Sequence, residues 1–180
     1  MTNIIREVLI KAPRRKVWAK LSDFGNVNRM SPTIAKSYLT SEQTSGINTT
    51  RHCDFTMMGA SVDERIVGWD EGWCLEIGFD HWDNMPGITS MSAAFTLADE
   101  GTDTRICAVM HYEIGMGVVG RMLDAVMVKR TNSQNWESFL AGIRHHIETG
   151  EEVSQDTVLD TSDIVAVSLE NLKLQHNGEI

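Results

Sequence analysis

Residues 61–82 read SVDERIVGWDEGWCLEIGFDHW, and this stretch decides the fold class. Two short runs rich in strand-forming residues are separated by the turn-forming letters DEG, and apolar residues occupy alternate positions along the second run, at Leu75, Ile77 and Phe79. Strict alternation is typical of a strand with one buried face, and a short turn makes consecutive strands antiparallel. The stretch therefore predicts a β-hairpin with one packed face and one face in solvent.

The same pattern continues on both sides of this hairpin. Strand-forming runs precede it as TIAKSYLTSE and TTRHCDFTMM, and follow it as SMSAAFTLAD and TRICAVMHYEI. The turn sequences NMPG and ADEGTD separate the last three runs. Together the runs predict a meander of six antiparallel strands, whose apolar face needs a covering layer.

One strand and two short helices are predicted before the meander. Residues 3–11 are rich in aliphatic and β-branched side chains and meet Pro13, a residue that suits the first turn of a helix. The sequence PRRKVWAKLSDF then places apolar residues at helical spacing, and Gly25 ends that helix. Residues 26–32 predict a second brief helix or a turn.

A long helix is predicted after the meander. Gly150 suits the C-cap of this helix, which divides the chain into a domain of residues 1–149 and an acidic tail of residues 150–180. The apolar end of the tail, IVAVSLENLKL, fits an extra strand, a docking segment or a partner contact equally well. The apolar residues that recur on one side of the helix are Met122, Leu123, Val126, Met127, Trp136, Phe139, Leu140, Ile143 and Ile147.

Composition and charge narrow the classes of function. The chain has 180 residues, of which 42% are apolar, enough for one sizeable core. A formal charge of -9 spread along the chain argues against nucleic acids and acidic membranes as partners. No run approaches the roughly 18 apolar residues of a membrane span, and the N-terminus lacks a signal peptide. We therefore expect a cytoplasmic protein without a membrane span.

Cysteine and histidine do not predict a metal site or a disulfide framework. Cys53, Cys74 and Cys107 are odd in number and far apart, which favours buried free thiols. The adjacent pair His145-His146 points about 100° apart on a helix, and the other histidines lack a carboxylate at ligand spacing. Nucleotide, phosphate and hydrolase motifs are absent from the sequence. We expect no metal and no cofactor.

Several short strings, in a particular order, resemble a known family. They are Ile10-Lys11-Ala12-Pro13, Val17-Trp18, Leu21-Ser22-Asp23-Phe24, Ser31-Pro32, Glu64-Arg65-Ile66, Trp69-Asp70 and Thr104-Arg105. Their order and spacing over residues 3–148 resemble the polyketide cyclase/dehydrase and lipid-transport (SRPBCC) group of the START-like, Bet v 1-like superfamily. The resemblance implies an α+β helix-grip fold, in which a curved antiparallel sheet wraps around a long C-terminal helix and two short helices follow the first strand. It also implies a hollow between sheet and helix that holds a small hydrophobic molecule.

The resemblance further implies which strand residues face the hollow. Val62, Glu64 and Ile66 are similar to the pocket-facing set of ligand-binding relatives, and the alternative inward set is Arg65 with Val67. Alternation along the strands then assigns the other inward positions, among them Leu75, Met91, Ala93, Leu97 and Ile106. The predicted ligand-binding residues are Val62, Glu64, Ile66, Ile77, Phe79, Phe95, Ala108, Met110, Tyr112, Met127, Thr131 and Asn135.

Glu64 is the predicted inward residue with the most chemistry. A carboxylate among methyl groups has a raised pKa or requires a partner, and either property is useful for orienting a ligand or moving a proton. Arg51, Arg65 and Arg130 are the candidate partners. An outward Glu64 in a surface ion pair is an equally open alternative.

Three functions stay open from the sequence. The first is binding or carriage of a lipid, isoprenoid, quinone or polyketide-like aromatic in the hollow, without catalysis. The second is a cyclase or dehydratase in which Glu64 or Tyr112 transfers a proton. The third is a protein-interaction module, a homodimer among its forms, that uses a sheet edge or the tail.

Overall fold

The computed structural model describes residues 2–57, 59–85, 87–115 and 129–168, and these ranges form the strands and helices of one sheet-and-helix structure. The strands are β1 (Thr2–Ile10), β2 (Ile34–Leu39), β3 (Thr50–Phe55), β4 (Ser61–Asp70), β5 (Cys74–Asp83), β6 (Ile88–Glu100), β7 (Asp103–Ile114) and β8 (Val165–Ala166). The helical segments are α1 (Arg14–Leu21), the 3-10 helix η1 (Phe24–Met30) and α2 (Lys129–Thr149).

All eight strands belong to one antiparallel sheet with the order β2-β3-β4-β5-β6-β7-β1-β8. The predicted meander of six strands is therefore confirmed as β2 to β7. Register shifts interrupt the β4–β5 pairing after Asp63 and after Ile66. Such bulges increase the local twist and bend of a strand, which helps the sheet to close over one face.

Helix α2 packs its apolar side against this sheet. Trp136, Leu140, Ile143 and Ile147 are all buried, as the helical spacing predicts. Gly150 has a φ of +80° and its N–H donates to the carbonyl oxygen of His146 at 2.9 Å, which confirms the predicted C-cap. The predicted helical residues 117–128 lie outside the described part of the chain.

The two short helical segments close one end of the sheet. Trp18 of α1 meets Trp69 of β4 edge to face, with ring centroids 4.9 Å apart. Their two indole N–H groups donate to the two carboxylate oxygens of Glu71, at 3.1 and 2.8 Å. This shared acceptor fixes α1 against the turn between β4 and β5.

Residues 151–168, here called the strap, run from the end of α2 to the free edge of β1. Val153 is buried, and its N–H donates to the carbonyl oxygen of Arg29 at 2.9 Å. Further along, β8 pairs with Arg6 and Glu7 of β1, and the N–H of Val167 donates to Ile5 at 3.2 Å. Of the three alternatives for the apolar end of the tail, the structure shows the extra strand at Val165–Ala166.

Candidate functional site

The inner face of β4 carries the predicted Glu64 set. Val62, Glu64 and Ile66 are buried, whereas Val67 is half exposed. Arg65 points to the other face, where its Nε donates to Asp80 at 2.8 Å. The alternative inward set of Arg65 and Val67 is therefore wrong, because alternation places both residues at the surface.

The neighbouring strands continue this inner face. Most of the predicted inward residues are buried, and the remaining three are half-buried. The buried ones are Leu75, Ile77, Ala93, Phe95, Leu97, Ile106, Ala108 and Tyr112, and the half-buried ones are Phe79, Met91 and Met110.

The structure does not bring the predicted helical residues Thr131 and Asn135 to this face. Both are exposed, because each lies about 100° or more around α2 from the buried residues Trp136 and Leu140. The prediction that Asn135 reaches the hollow is therefore corrected. Met127 lies outside the described residues.

An ion pair between Arg51 and Glu64 is the polar centre of the inner face. The two residues lie opposite each other on β3 and β4, so their side chains share one face. Nε and Nη2 of Arg51 contact Oε2 of Glu64, and Nη1 donates to the carbonyl oxygen of Phe24 at 2.9 Å. Arg51 is 5% exposed and Glu64 3% exposed. Of the three candidate partners, Arg51 is therefore the one that neutralises Glu64.

Arg51 keeps donor capacity for another acceptor. Its guanidinium has five N–H groups, of which Glu64 and Phe24 take three. In the described part of the chain, the other two N–H groups, one on each Nη, have no acceptor. The guanidinium carbon also lies 4.0 Å from the centroid of the Phe24 ring, which holds the group in a fixed position.

A small cavity adjoins this ion pair. Its volume is about 20 Å³, which suits one water molecule. A larger molecule can enter only if neighbouring side chains move. The residues that line the cavity are Leu21, Val27, Met30, Arg51, Leu75, Ile77, Phe95 and Phe139.

An aromatic cluster covers the helix side of the cavity. Trp136 and Phe139 of α2 stack with centroids 5.4 Å apart, and Phe95 of β6 lies 5.5 Å from Trp136 and 6.2 Å from Phe139. The sequence predicts Trp136 only as an apolar residue of the helix. Among the described residues, however, its buried Nε1 has no hydrogen-bond partner.

Tyr112, the other candidate for proton transfer, is 1% exposed on β7. Three strand spacings separate β7 from β4, roughly 14 Å between backbones at the usual distance between strands. The positions of these two strands in the sheet therefore do not make Glu64 and Tyr112 a close acid–base pair.

All three cysteines are free; Cys53 is fully buried as predicted, whereas Cys74 and Cys107 are only half-buried. Burial raises the pKa of the Cys53 thiol to about 12, and the nearby Glu64 carboxylate adds to this shift. Burial also raises the pKa of Cys107 to about 11. Because the thiolate is the reactive form, neither residue is set up as a nucleophile at neutral pH.

His52 lies on the outer face of the sheet between two carboxylates. Its Nδ1 is 2.6 Å from Asp63 and its Nε2 is 3.2 Å from Asp54. The hydrogen bond with Asp63 raises the pKa of His52 above its ordinary 6.5.

No group of three or more metal-ligating side chains occurs among the described residues. The described helices also include none that is long and apolar enough to cross a membrane.

Comparison with known families agrees with this architecture. The family model described as polyketide cyclase/dehydrase and lipid transport matches residues 1–148. The chain belongs to this family. No curated protein matches the chain.

Solved structures with the same fold come from bacteria and plants. A protein from Thermus thermophilus is 19% identical, with a TM-score of 0.67 over 81% of this chain and 97% of that one. A START superfamily protein from Mycobacterium smegmatis is 15% identical, with a TM-score of 0.67 and the same two coverages. The ginseng major latex-like protein 151 from Panax ginseng is 15% identical, with a TM-score of 0.63 over 83% and 97%. These likenesses establish the START-like, Bet v 1-like helix-grip fold.

Proposed function

We propose that this protein binds and carries a small hydrophobic molecule in the space between the sheet and α2. The observation that carries the proposal is the Arg51–Glu64 pair, a single neutralised polar group set in an otherwise apolar wall and facing a cavity. Sites for small apolar ligands have this composition, in which many apolar side chains surround a few polar groups that orient the ligand. Membership of a family that includes lipid-transport proteins supports the same conclusion.

A buried ion pair contributes little net stability to a folded protein. Removing two charges from water is unfavourable, and an apolar pair of similar volume often stabilises a core equally well or better. The pair gains a purpose if Arg51 uses its remaining N–H groups on a ligand. Glu64 then compensates the guanidinium charge and fixes the orientation of the guanidinium group.

The ligand enlarges the cavity on binding. About 20 Å³ is far below the roughly 300–1,000 Å³ of ordinary ligand pockets, so side chains around it have to move. Met30 lines the cavity, and Met91 and Met110 are half-buried on the same face of the sheet. Methionine adapts to new shapes at little energetic penalty because its side chain is unbranched and polarizable.

Binding of the neutral fluorophore N-phenyl-1-naphthylamine tests the proposal. Ile77→Phe enlarges a residue that lines the cavity, and Val67→Phe makes a matched change on the half-exposed outer face of the neighbouring strand. We expect wild-type protein and Val67→Phe to bind the probe with equal affinity, and Ile77→Phe to bind it at least about 10-fold more weakly. Equal binding by both variants, with melting temperatures showing that both are folded, would place the probe outside this cavity and contradict the proposal.

A cyclase or dehydratase is the alternative that the family description raises. In that reaction Glu64 or Tyr112 would transfer a proton to a folded substrate. Oε2 of Glu64 is already occupied by two nitrogens of Arg51, so it is not free to contact a substrate without breaking the ion pair. Tyr112 lies three strands away, so carriage without catalysis is the better supported function.

The cytoplasm is the proposed location of the protein. All three cysteines are free thiols, as expected in a reducing compartment. A protein-interaction role, including a homodimer, is the remaining alternative. It would use the strap or the β2 edge of the sheet, and the truncation described in the Discussion tests the part played by the strap.

A further inference from the structure

Trp136 presents a buried hydrogen-bond donor that none of the described residues accepts from. The residue is 5% exposed, and within the described ranges no acceptor lies near its Nε1. The indoles of Trp18 and Trp69, by contrast, both donate to Glu71. A buried donor without an acceptor is unfavourable, so an orphan of this kind in a folded protein requires an explanation.

The orphan donor lies beside the candidate ligand site. Phe95 and Phe139 both line the cavity, and both contact the indole ring of Trp136, at centroid distances of 5.5 and 5.4 Å. The indole therefore lies in contact with two rings that line the cavity, and a ligand that displaces one of these rings can reach it. The three rings also provide faces and edges on which a flat apolar molecule can pack.

Charge restricts what this molecule can be. The guanidinium of Arg51 is already neutralised by Glu64, and both groups are almost completely removed from water. A charged ligand group would therefore lie in the interior without a counter-ion, which is strongly unfavourable. A neutral oxygen acceptor satisfies a buried donor without adding charge.

We propose that Trp136 is a specificity-determining residue that donates a hydrogen bond from Nε1 to a carbonyl, quinone or ether oxygen of the ligand. The ligand is then a neutral, ring-containing apolar molecule, which excludes fatty acids and other anions as its main class. This inference rests on the proposed binding function, and it names the ligand class and one residue that selects it.

A matched pair of probes tests the donor. Fluorene and 9-fluorenone have the same three-ring skeleton, and only fluorenone carries a carbonyl oxygen. Trp136→Phe keeps an aromatic ring and removes the N–H, whereas Trp73→Phe makes the same change at an exposed residue in the turn between β4 and β5. We expect Trp136→Phe to weaken fluorenone binding about 5- to 10-fold more than fluorene binding, and Trp73→Phe to change neither.

Nuclear magnetic resonance of ¹⁵N-labelled protein gives a second measurement. The chain has five tryptophans, and the indole N–H signal of Trp136 is identified by its loss in Trp136→Phe. Fluorenone should shift this signal downfield, and fluorene should not, because only the ketone accepts a hydrogen bond.

The outcomes separate this inference from the proposed function. If Trp136→Phe weakens both probes equally, or the indole shift is the same for both, the hydrogen bond is disproved while the cavity remains a binding site. If neither fluorene nor fluorenone binds wild-type protein up to its solubility limit while N-phenyl-1-naphthylamine does, the inference fails and the binding function stands. If N-phenyl-1-naphthylamine also fails to bind, the proposed binding function fails together with the inference.

Discussion

Arg51 and Glu64 face each other across the β3–β4 pairing and form an ion pair that the folded chain removes almost entirely from water. Neither residue is replaceable alone, because each compensates the buried charge of the other. The pair fixes the position of the guanidinium, which also contacts the ring and the carbonyl oxygen of Phe24. A ligand that reaches the cavity therefore meets a donor whose position is set before binding.

Loss of one partner of this pair should be more harmful than loss of both. We expect Glu64→Gln and Arg51→Met to lower the free energy of unfolding by about 3–5 kcal/mol each, because each leaves an uncompensated charge or acceptor in the interior. The double variant Arg51→Met, Glu64→Met should recover most of this loss. Urea denaturation at neutral pH measures all three values. A double variant as unstable as the single variants would show that the pair contributes by packing and not by charge compensation.

Gly142 should not tolerate alanine, although alanine is the better helix former. A Cβ at position 142 of α2 would lie 2.4 Å from the carbonyl oxygen of Met30, which is backbone and cannot easily move. The gain in helix propensity is about 1 kcal/mol, and overpacking of this kind costs about 1–3 kcal/mol or more. We expect Gly142→Ala to be less stable than wild type in urea denaturation.

The matched control for Gly142 is Asn135→Ala on the exposed side of the same helix. There alanine improves helix propensity without a clash, so a slight stabilisation of about 0.5 kcal/mol is expected. Stabilisation by both substitutions would mean that α2 does not approach Met30 as closely as described.

His52 should titrate above its ordinary pKa of 6.5. The hydrogen bond with Asp63 raises the pKa most, and Asp54 raises it further against the opposing effect of burial. A raised pKa in the folded state means that protonated His52 stabilises the fold. The contribution is complete below about pH 6.5 and is lost as the pH rises through the folded pKa. For a pair this close to the surface it amounts to at most about 1 kcal/mol.

Proton NMR titration of His52 checks this assignment. Asp63→Asn should lower the pKa of His52 more than Asp54→Asn does, because Asp63 is the larger cause. A larger effect of Asp54→Asn, or a wild-type pKa at or below 6.5, would contradict the described hydrogen bonding of His52 by Asp63 and Asp54.

The strap should stabilise the fold, and by covering the edge of β1 it should also keep the protein monomeric. Deleting residues 151–180 removes buried Val153 and uncovers β1 at Arg6 and Glu7. We expect a loss of about 2 kcal/mol from the lost burial, and concentration-dependent self-association through the open edge. Urea denaturation and size-exclusion chromatography with light scattering measure the two effects.

A chain that ends at residue 168 keeps every strap contact described above and is the matched control. If both truncations lose stability equally, the residues after 168 are responsible and not the strap. An unchanged monomer after deletion of residues 151–180 would contradict the edge-covering role and would also argue against an interaction function of this segment.

The family resemblance selected the inward set of β4, and strand periodicity then extended that choice along the sheet. Val62 and Ile66 flank Glu64 at alternate positions, so burying the two apolar residues necessarily buries the carboxylate. The partner of Glu64 could not be derived in the same way. It depends on the β3–β4 register, which places Arg51 opposite Glu64 and is a property of paired strands and not of either strand alone.

Helical residues near the site were harder to predict. Asn135 precedes Trp136 by one residue, and the roughly 100° between them is enough to move Asn135 from the sheet to solvent. The state of the Trp136 donor is likewise invisible in sequence, because it depends on which acceptors the fold brings near Nε1, and none of the described residues supplies one. An indole on an apolar helix stripe signals burial, and only the structure shows whether its N–H is paired.

Native mass spectrometry of the protein as purified, followed by denaturing extraction, detects and identifies any molecule that the cavity carries. We expect a one-to-one adduct of a neutral, apolar, oxygen-containing molecule, present in wild-type protein and in Val67→Phe and depleted in Ile77→Phe. Wild-type protein that carries no adduct and takes up neither N-phenyl-1-naphthylamine nor fluorenone would contradict the proposed binding function.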